Sequence, residues 1–255
     1  MKLLIKLGGT LLDAADSRAR LASEIAAVAR HHQVTVVHGG GKQMTRYLAE
    51  HNVESRFVNG LRVTTPEVVD AVLKVFAGSV NSGLVGAFRA AGTSPVGLTG
   101  LDAGLVDAEP LAEELGAVGK PVHSDARLLK VLTEAGYLPV VACVAGDAHG
   151  AVYNVNADQM AVACAAAFGA EKLLFLTDVD GVKGADGSLF GTLTVAGASK
   201  LIADGVATGG MQAKLEAAML ALGSGVGQIV IAPGAKPGVA AFILEGALVG
   251  TRVIL

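Results

Sequence analysis

The chain has no tryptophan, two cysteines in 255 residues, and only 17% charged residues. Each shortage excludes something. Cys143 and Cys164 cannot build a disulfide framework, and neither sits in a C-x-x-C or Cys/His spacing that would hold zinc. They read as buried thiols of a reducing compartment. A formal net charge of −3, with no Lys/Arg cluster, argues against non-specific nucleic-acid binding. Met1-Lys2 leads directly into an apolar run too short to span a bilayer, with no small-residue cleavage site after it. A cytoplasmic location with no membrane partner is the expectation.

Hydrophobic residues, at 52%, and glycine, at 34 positions, are abundant. The first excludes disorder and supplies a large core. The second points to turns and close backbone packing. Apolar runs at 3–7, 34–37, 94–98, 138–144, 172–177, 228–231 and 251–255 alternate with helical patterns. In 16–31, Leu21, Ile25 and Val28 share one face, with Asp16 or Ser17 as the expected N-cap. Further helices are expected over 42–50, 65–76, 81–91, 124–134, 160–168, 198–204 and 214–222. The alternation predicts an α/β fold, a three-layer αβα sandwich around an open, mainly parallel sheet of about eight strands. Asn59-Gly60 between β-type residues predicts a hairpin projecting from that body. Residues 105–120 give no assignment. A boundary near Gly169–Glu171 would divide the single domain, 1–255, into lobes of about 1–169 and 170–255.

Several residues carry chemistry that packing does not require. Lys6 interrupts the run Leu3-Leu4-Ile5 two residues before Gly8-Gly9. An ammonium in an apolar layer is costly unless paired. It either snorkels to solvent from the strand end or serves a phosphate, and the adjacent glycines favour phosphate. Gly39-Gly40-Gly41 repeats the theme after a second strand. Neither loop matches G-x-x-x-x-G-K-[ST] or G-x-G-x-x-G. Arg62, just past the hairpin turn, fits an exposed strand arginine or a bidentate carboxylate clamp. Asn154, Asn156, Asp158 and Gln159 precede an apolar helix. Asp158 is either its N-cap or a carboxylate that orients Lys6 and Mg²⁺. Asp178 and Asp180 end a buried strand, as a turn or a Mg²⁺–nucleotide region. Lys214 lies near a helix start, where the dipole disfavours a cation unless an anion is present. No G-x-S-x-G elbow supports a serine nucleophile, and the histidines show no partner pattern.

Six pieces, in order, resemble the amino-acid kinase family. They are Lys6-Leu7-Gly8-Gly9, His38-Gly39-Gly40-Gly41, Asn59-Gly60-Leu61-Arg62-Val63-Thr64, Asn154-Val155-Asn156-Ala157-Asp158-Gln159, Leu176-Thr177-Asp178-Val179-Asp180-Gly181-Val182 and Gly209-Gly210-Met211-x-x-Lys214. The hairpin and the Asn-x-Asn-Ala-Asp stretch resemble the branch acting on acetylglutamate. Gly97–Asp102 also resembles relatives acting on carrier-bound aminoadipate.

The resemblance implies ATP-dependent phosphorylation of the side-chain carboxylate of N-acetyl-L-glutamate in arginine biosynthesis, with ATP and Mg²⁺. Another N-acylated or carrier-bound amino acid is the alternative acceptor, and a non-catalytic amino-acid-binding regulator the contrasting class. By the resemblance, Lys6 and Lys214 flank the transferring phosphoryl group and Asp158 holds them. Gly40, Gly41, Arg62 and Asn154 bind the acceptor. Gly8 and Gly9, Asp178, Val179, Asp180, Gly181, Val182 and Lys183, with Val206, Ala207 and Thr208, serve ATP. The chain begins at its first strand, without the N-terminal helix of arginine-inhibited relatives. By the same resemblance, this implies a homodimer without strong arginine feedback.

Overall fold

The computed structural model describes residues 1–255. Eight strands form one sheet: Lys2–Leu7 (β1), Gln33–His38 (β2), Pro95–Thr99 (β3), Leu138–Ala142 (β4), Lys172–Thr177 (β5), Thr192–Thr194 (β6), Gln228–Pro233 (β7) and Thr251–Ile254 (β8). Their spatial order is β6-β8-β7-β5-β1-β2-β4-β3. The strands from β7 across to β3 are parallel, while β8 pairs antiparallel with β7 and carries β6 parallel to itself. Near-continuous apolar runs such as Leu3–Leu7 and Leu173–Leu176 are what a sheet covered on both faces requires. Helices Ala15–Ala29 and Asn81–Ala90 pack together in one outer layer, and Arg127–Glu134, Ala157–Phe168 and Gly209–Gly223 form the other. The expected sandwich is therefore present. β6 escaped the sequence pattern because it has three residues, of which only Leu193 is buried.

Strands Val106–Pro110, Val118–Ser124, Val144–Gly146 and Val152–Val155 close into a small barrel beside the main sheet. Its pieces come from distant parts of the chain, which is why 105–120 has no local signature. The hairpin Phe57–Val58/Leu61–Arg62 forms as expected, with φ of 49° at Asn59 and 78° at Gly60. Both signs suit a primed two-residue turn matching the strand twist.

Several boundaries differ from expectation. The two helices expected at 65–76 and 81–91 are one continuous rod, Pro66–Ala90, whose middle turn Leu73–Val80 is π-helical. The rod is long and apolar enough to cross a bilayer, but Val68, Val72, Phe76, Leu84 and Phe88 lie in the protein core. Thr65 caps it through Val68 N, with Pro66 at the first helical position. Ala14, not Asp16 or Ser17, is the N-cap of Ala15–Ala29; Asp16 sits in the first turn, where its charge suits the dipole. The helix expected over 214–222 starts earlier, at Gly209, and already includes the Gly209-Gly210-Met211 stretch.

β5, β1 and β2 lie side by side, with Lys6 in register with Phe175 on one side and Val37 on the other. Being parallel, they deliver Asp178–Gly181, Gly8-Gly9 and Gly39–Gly41 to the same edge. Carboxyl ends of strands are where open α/β sheets bind ligands.

Candidate active site

Lys6 does not snorkel. It is 6% exposed, and its Nζ stands 2.8 Å from Asp158 Oδ1 in a buried ion pair. Asp158 is not a cap either. Asn156 takes that role, its Oδ1 accepting from the amides of Asp158 at 2.8 Å and Gln159 at 3.3 Å. The Asp158 side chain, 5% exposed, is thereby released to face the strand. Its Oδ2 lies 3.5 Å from Lys214 Nζ, which also donates to Gly210 O at 3.3 Å. Burial alone would push the Asp158 carboxyl up. The Lys6 and then the Lys214 ammonium outweigh it, so the group titrates below the ordinary carboxylate range. Two lysines sharing one carboxylate leave a net positive site, so it has charge in hand for an anion.

The glycine loops close around this cluster. A Cβ on Gly9 would meet Gly41 N at 3.1 Å, so the two loops approach backbone to backbone, and one on Gly39 would press on the Ala157 side chain at 3.2 Å. Gln43 Nε2 joins them by donating to Gly9 O at 3.3 Å. The Gly8 amide is already committed, donating to Leu176 O at 2.9 Å and tying β1 to β5. Gly8 therefore contributes close approach, not a free donor.

Arg62 is 8% exposed and has no carboxylate partner in the chain. Its guanidinium lies 4.6 Å from the Phe57 ring centre and donates to Ser55 Oγ, to Thr45 Oγ1 at 2.8 Å, and to Gly41 O at 3.4 Å. These acceptors are neutral. A largely buried guanidinium held by neutral groups retains its full charge for an anionic ligand. Asn154 Nδ2 donates to Thr64 Oγ1 at 3.1 Å, and Thr64 Oγ1 donates to Arg62 O, so the acceptor candidates belong to one network.

On the other side, Asp178 Oδ2 accepts from Thr10 Oγ1 at 3.2 Å, bridging β5 to the turn after β1. Although burial opposes it, the hydroxyls of Thr177 and Thr10 hold the Asp178 carboxyl below its usual range. A cavity of about 370 Å³ is lined by Asp178, Val179, Asp180, Gly181, Lys183, Val206, Ala207 and Met211. Val182 does not line it; the residue is fully buried, and its amide donates to Thr251 Oγ1. Thr208 stands instead at the N-cap position of helix Gly209–Gly223, where its side chain makes no capping hydrogen bond. Sequence reasoning missed Thr10, Gln43 and Met211, ordinary residues placed by the loops around them. It also assigned nothing to His38 and Asn81, whose pairing spans 43 positions.

The sequence matches the Amino acid kinase family over residues 1–233. This chain belongs to that family. It is 61% identical over 255 residues to the acetylglutamate kinase of Solibacter usitatus, covering 100% of this chain and 99% of that one. To the acetylglutamate kinase of Koribacter versatilis it is 43% identical over 239 residues, 92% of each chain. Among solved structures, the N-acetylglutamate synthase of Neisseria gonorrhoeae, complexed with coenzyme A and N-acetyl-glutamate, superposes with a TM-score of 0.89 at 25% identity. All of this chain is covered, but only 59% of the synthase.

Proposed function

We propose that the protein transfers the γ-phosphoryl group of ATP to the side-chain carboxylate of N-acetyl-L-glutamate, as an acetylglutamate kinase of arginine biosynthesis. The observation that carries this reading is the pair of cationic sites flanking one strand edge. Lys6 and Lys214 share Asp158, and the Arg62 guanidinium, held by neutral acceptors with no carboxylate partner, lies across the Gly39–Gly41 turn. Kinship to proteins named acetylglutamate kinase supports the choice of acceptor.

The chemistry follows from charge. The acceptor is already a carboxylate, so no general base is needed. The barrier lies in bringing two anions together and in spreading charge over the transferring group. Lys6 and Lys214 compensate that charge, and Asp158 holds them in register. Gly40 and Gly41 let the acceptor approach the backbone, while Arg62 and Asn154 hold its carboxylate and acylamino end. Gly8 and Gly9 do the same for the ATP phosphates. The cavity beside Asp178–Lys183, Val206 and Ala207 takes the nucleoside, with Thr208 at its margin. In this division the acceptor lobe is about 1–169 and the nucleotide lobe about 170–255. They share one continuous sheet through the β1–β5 pairing.

Mg²⁺ fits as an ion shared with phosphate oxygens. No three His, Cys, Asp or Glu side chains converge into a protein cage, and this ion is usually held by one or two carboxylates together with phosphate and water. Asp178, whose charge faces Lys214, is the carboxylate placed to hold it. When bound, the ion neutralises phosphate charge.

We place the protein in the cytoplasm as a homodimer. β3 ends the sheet with one edge unpaired, a natural seat for a second copy. The deciding experiment is a coupled ADP-release assay over N-acetylglutamate, succinylglutamate, acetylaminoadipate, glutamate, carbamate and UMP. ADP release strongest with acetylglutamate is expected. Release strongest with another acceptor reassigns the substrate. Thermal stabilisation by acetylglutamate without ADP release makes the protein a binder.

A further inference from the structure

His38 and Asn81 form a buried polar link that none of the catalytic roles uses. His38 ends β2, immediately before Gly39–Gly41, and is 0% exposed; Asn81 is 5% exposed. His38 Nδ1 lies 2.9 Å from Gly39 O, and Nε2 lies 3.0 Å from Asn81 Nδ2. Asn81 Nδ2 also donates to Val140 O at 2.9 Å. The protons can be placed by elimination. A carbonyl only accepts, so Nδ1 carries the hydrogen toward Gly39 O. Asn81 must present its amide nitrogen to Val140 O, because its oxygen would face another acceptor. The second amide hydrogen then points at the Nε2 lone pair. Each donor meets an acceptor only if the ring is neutral and protonated at Nδ1. Burial agrees, pushing the imidazole down to about 4.

The surroundings are shaped for this link. Asn81 follows the π-helical turn Leu73–Val80, and that turn presses on the same glycines. A Cβ on Gly40 would come within 2.8 Å of Phe76 Cδ1 and 3.3 Å of Val80 Cγ2. On the other side, β3 carries Gly97 where a side chain would collide with Asn81 Oδ1. The glycine turn is thus packed from the long helix and tethered through its first carbonyl. Its next members, Gly40 and Gly41, carry no side chain to fix their own orientation.

We infer that His38 and Asn81 are positioning residues: through the Gly39 carbonyl they set the orientation of the Gly39–Gly41 turn toward the acceptor. Neither side chain touches substrate; both act through the backbone. This rests on the kinase reading above. It differs from simple core filling because it demands one tautomer and one particular donor.

Two measurements test it. In ¹⁵N-labelled wild type, the His38 ring nitrogens should show the neutral Nδ1–H form throughout pH 5.5–8; the Nε2–H form or an imidazolium in that range overturns the inference. In the ADP-release assay, His38→Asn keeps a donor where Nδ1 stands, while His38→Gln keeps only the acceptor toward Asn81. His38→Gln should raise the acetylglutamate KM about tenfold above that of His38→Asn, with the ATP KM alike in both and similar melting temperatures. Equal acceptor KM values, or KM values that follow melting temperature, overturn the inference. A wild type that releases no ADP sinks the kinase reading instead. The inference is then decided by the ring nitrogens and by acetylglutamate affinity measured calorimetrically on the same two variants.

Discussion

Lys214 differs from Lys6 in how it is held. Lys6 sits within a strand against its carboxylate, whereas Lys214 reaches Asp158 at 3.5 Å from the second turn of a helix. A side chain less tightly paired in the resting protein has more of its charge available when charge develops on the transferring group. Lys214→Ala should lower kcat about a thousandfold with little change in the ATP KM; unchanged turnover would remove its assigned role. Arg62→Ala should raise the acetylglutamate KM at least about tenfold and spare ATP, because the guanidinium contacts only neutral groups in the chain. A defect confined to ATP would place Arg62 on the wrong side of the site. At both residues the type and spacing were visible in the sequence. Burial was not, and burial decides between solvated cation and ligand clamp.

At the scale of the elements, the contact between the long helix and the glycine turn is the most exacting. Gly40→Ala drives a methyl into the Phe76 ring and should cost about 1–3 kcal/mol of unfolding free energy in urea titrations. Phe76→Leu in the same chain should recover part of it, and strict additivity in that double-mutant cycle would show that the two do not touch. The end of β2 carries a pH signature. His38 has an ordinary value near 6.5 when unfolded and is pushed down to about 4 when folded. The unfolded chain therefore binds more protons between those values. Stability is full above about pH 6.5 and declines as pH falls toward 4. Between pH 7 and pH 5 the loss from this residue should be about 2 kcal/mol, and His38→Asn should remove that share of the slope. A variant as pH-sensitive as wild type would mean that His38 is not held neutral.

For the whole molecule, assembly is the open quantity that a single measurement settles. Sedimentation equilibrium should give twice the 25.6 kDa of one chain, and the mass of a single chain would refute the dimer. The sheet itself joins the two proposed lobes. β1 pairs with β5 from Leu3–Lys172 to Leu7–Leu176, so the strand that carries Lys6 and the strand that leads into Asp178 are held together directly.

Local pattern was enough for much of this architecture. Apolar runs marked seven of the eight sheet strands within two residues at each end and β5 to the residue, because a strand buried on both faces must be largely apolar. Asn59-Gly60 specified its hairpin, since few residues adopt positive φ in succession. Other features depended on partners far away in the chain. The small barrel needs strands drawn from 106–155, and the rod Pro66–Ala90 stays helical through the π-helical stretch Leu73–Val80, where the sequence pattern predicts a break. Asp158 needed its neighbour Asn156 to take the cap before it was free to meet Lys6, 152 positions earlier. The sequence by itself determined which residues could carry charge to a phosphate and which runs had to be buried. Only the tertiary structure decided that Lys6, Asp158 and Lys214 meet, because a charge pays for its burial only where the fold supplies a counter-charge.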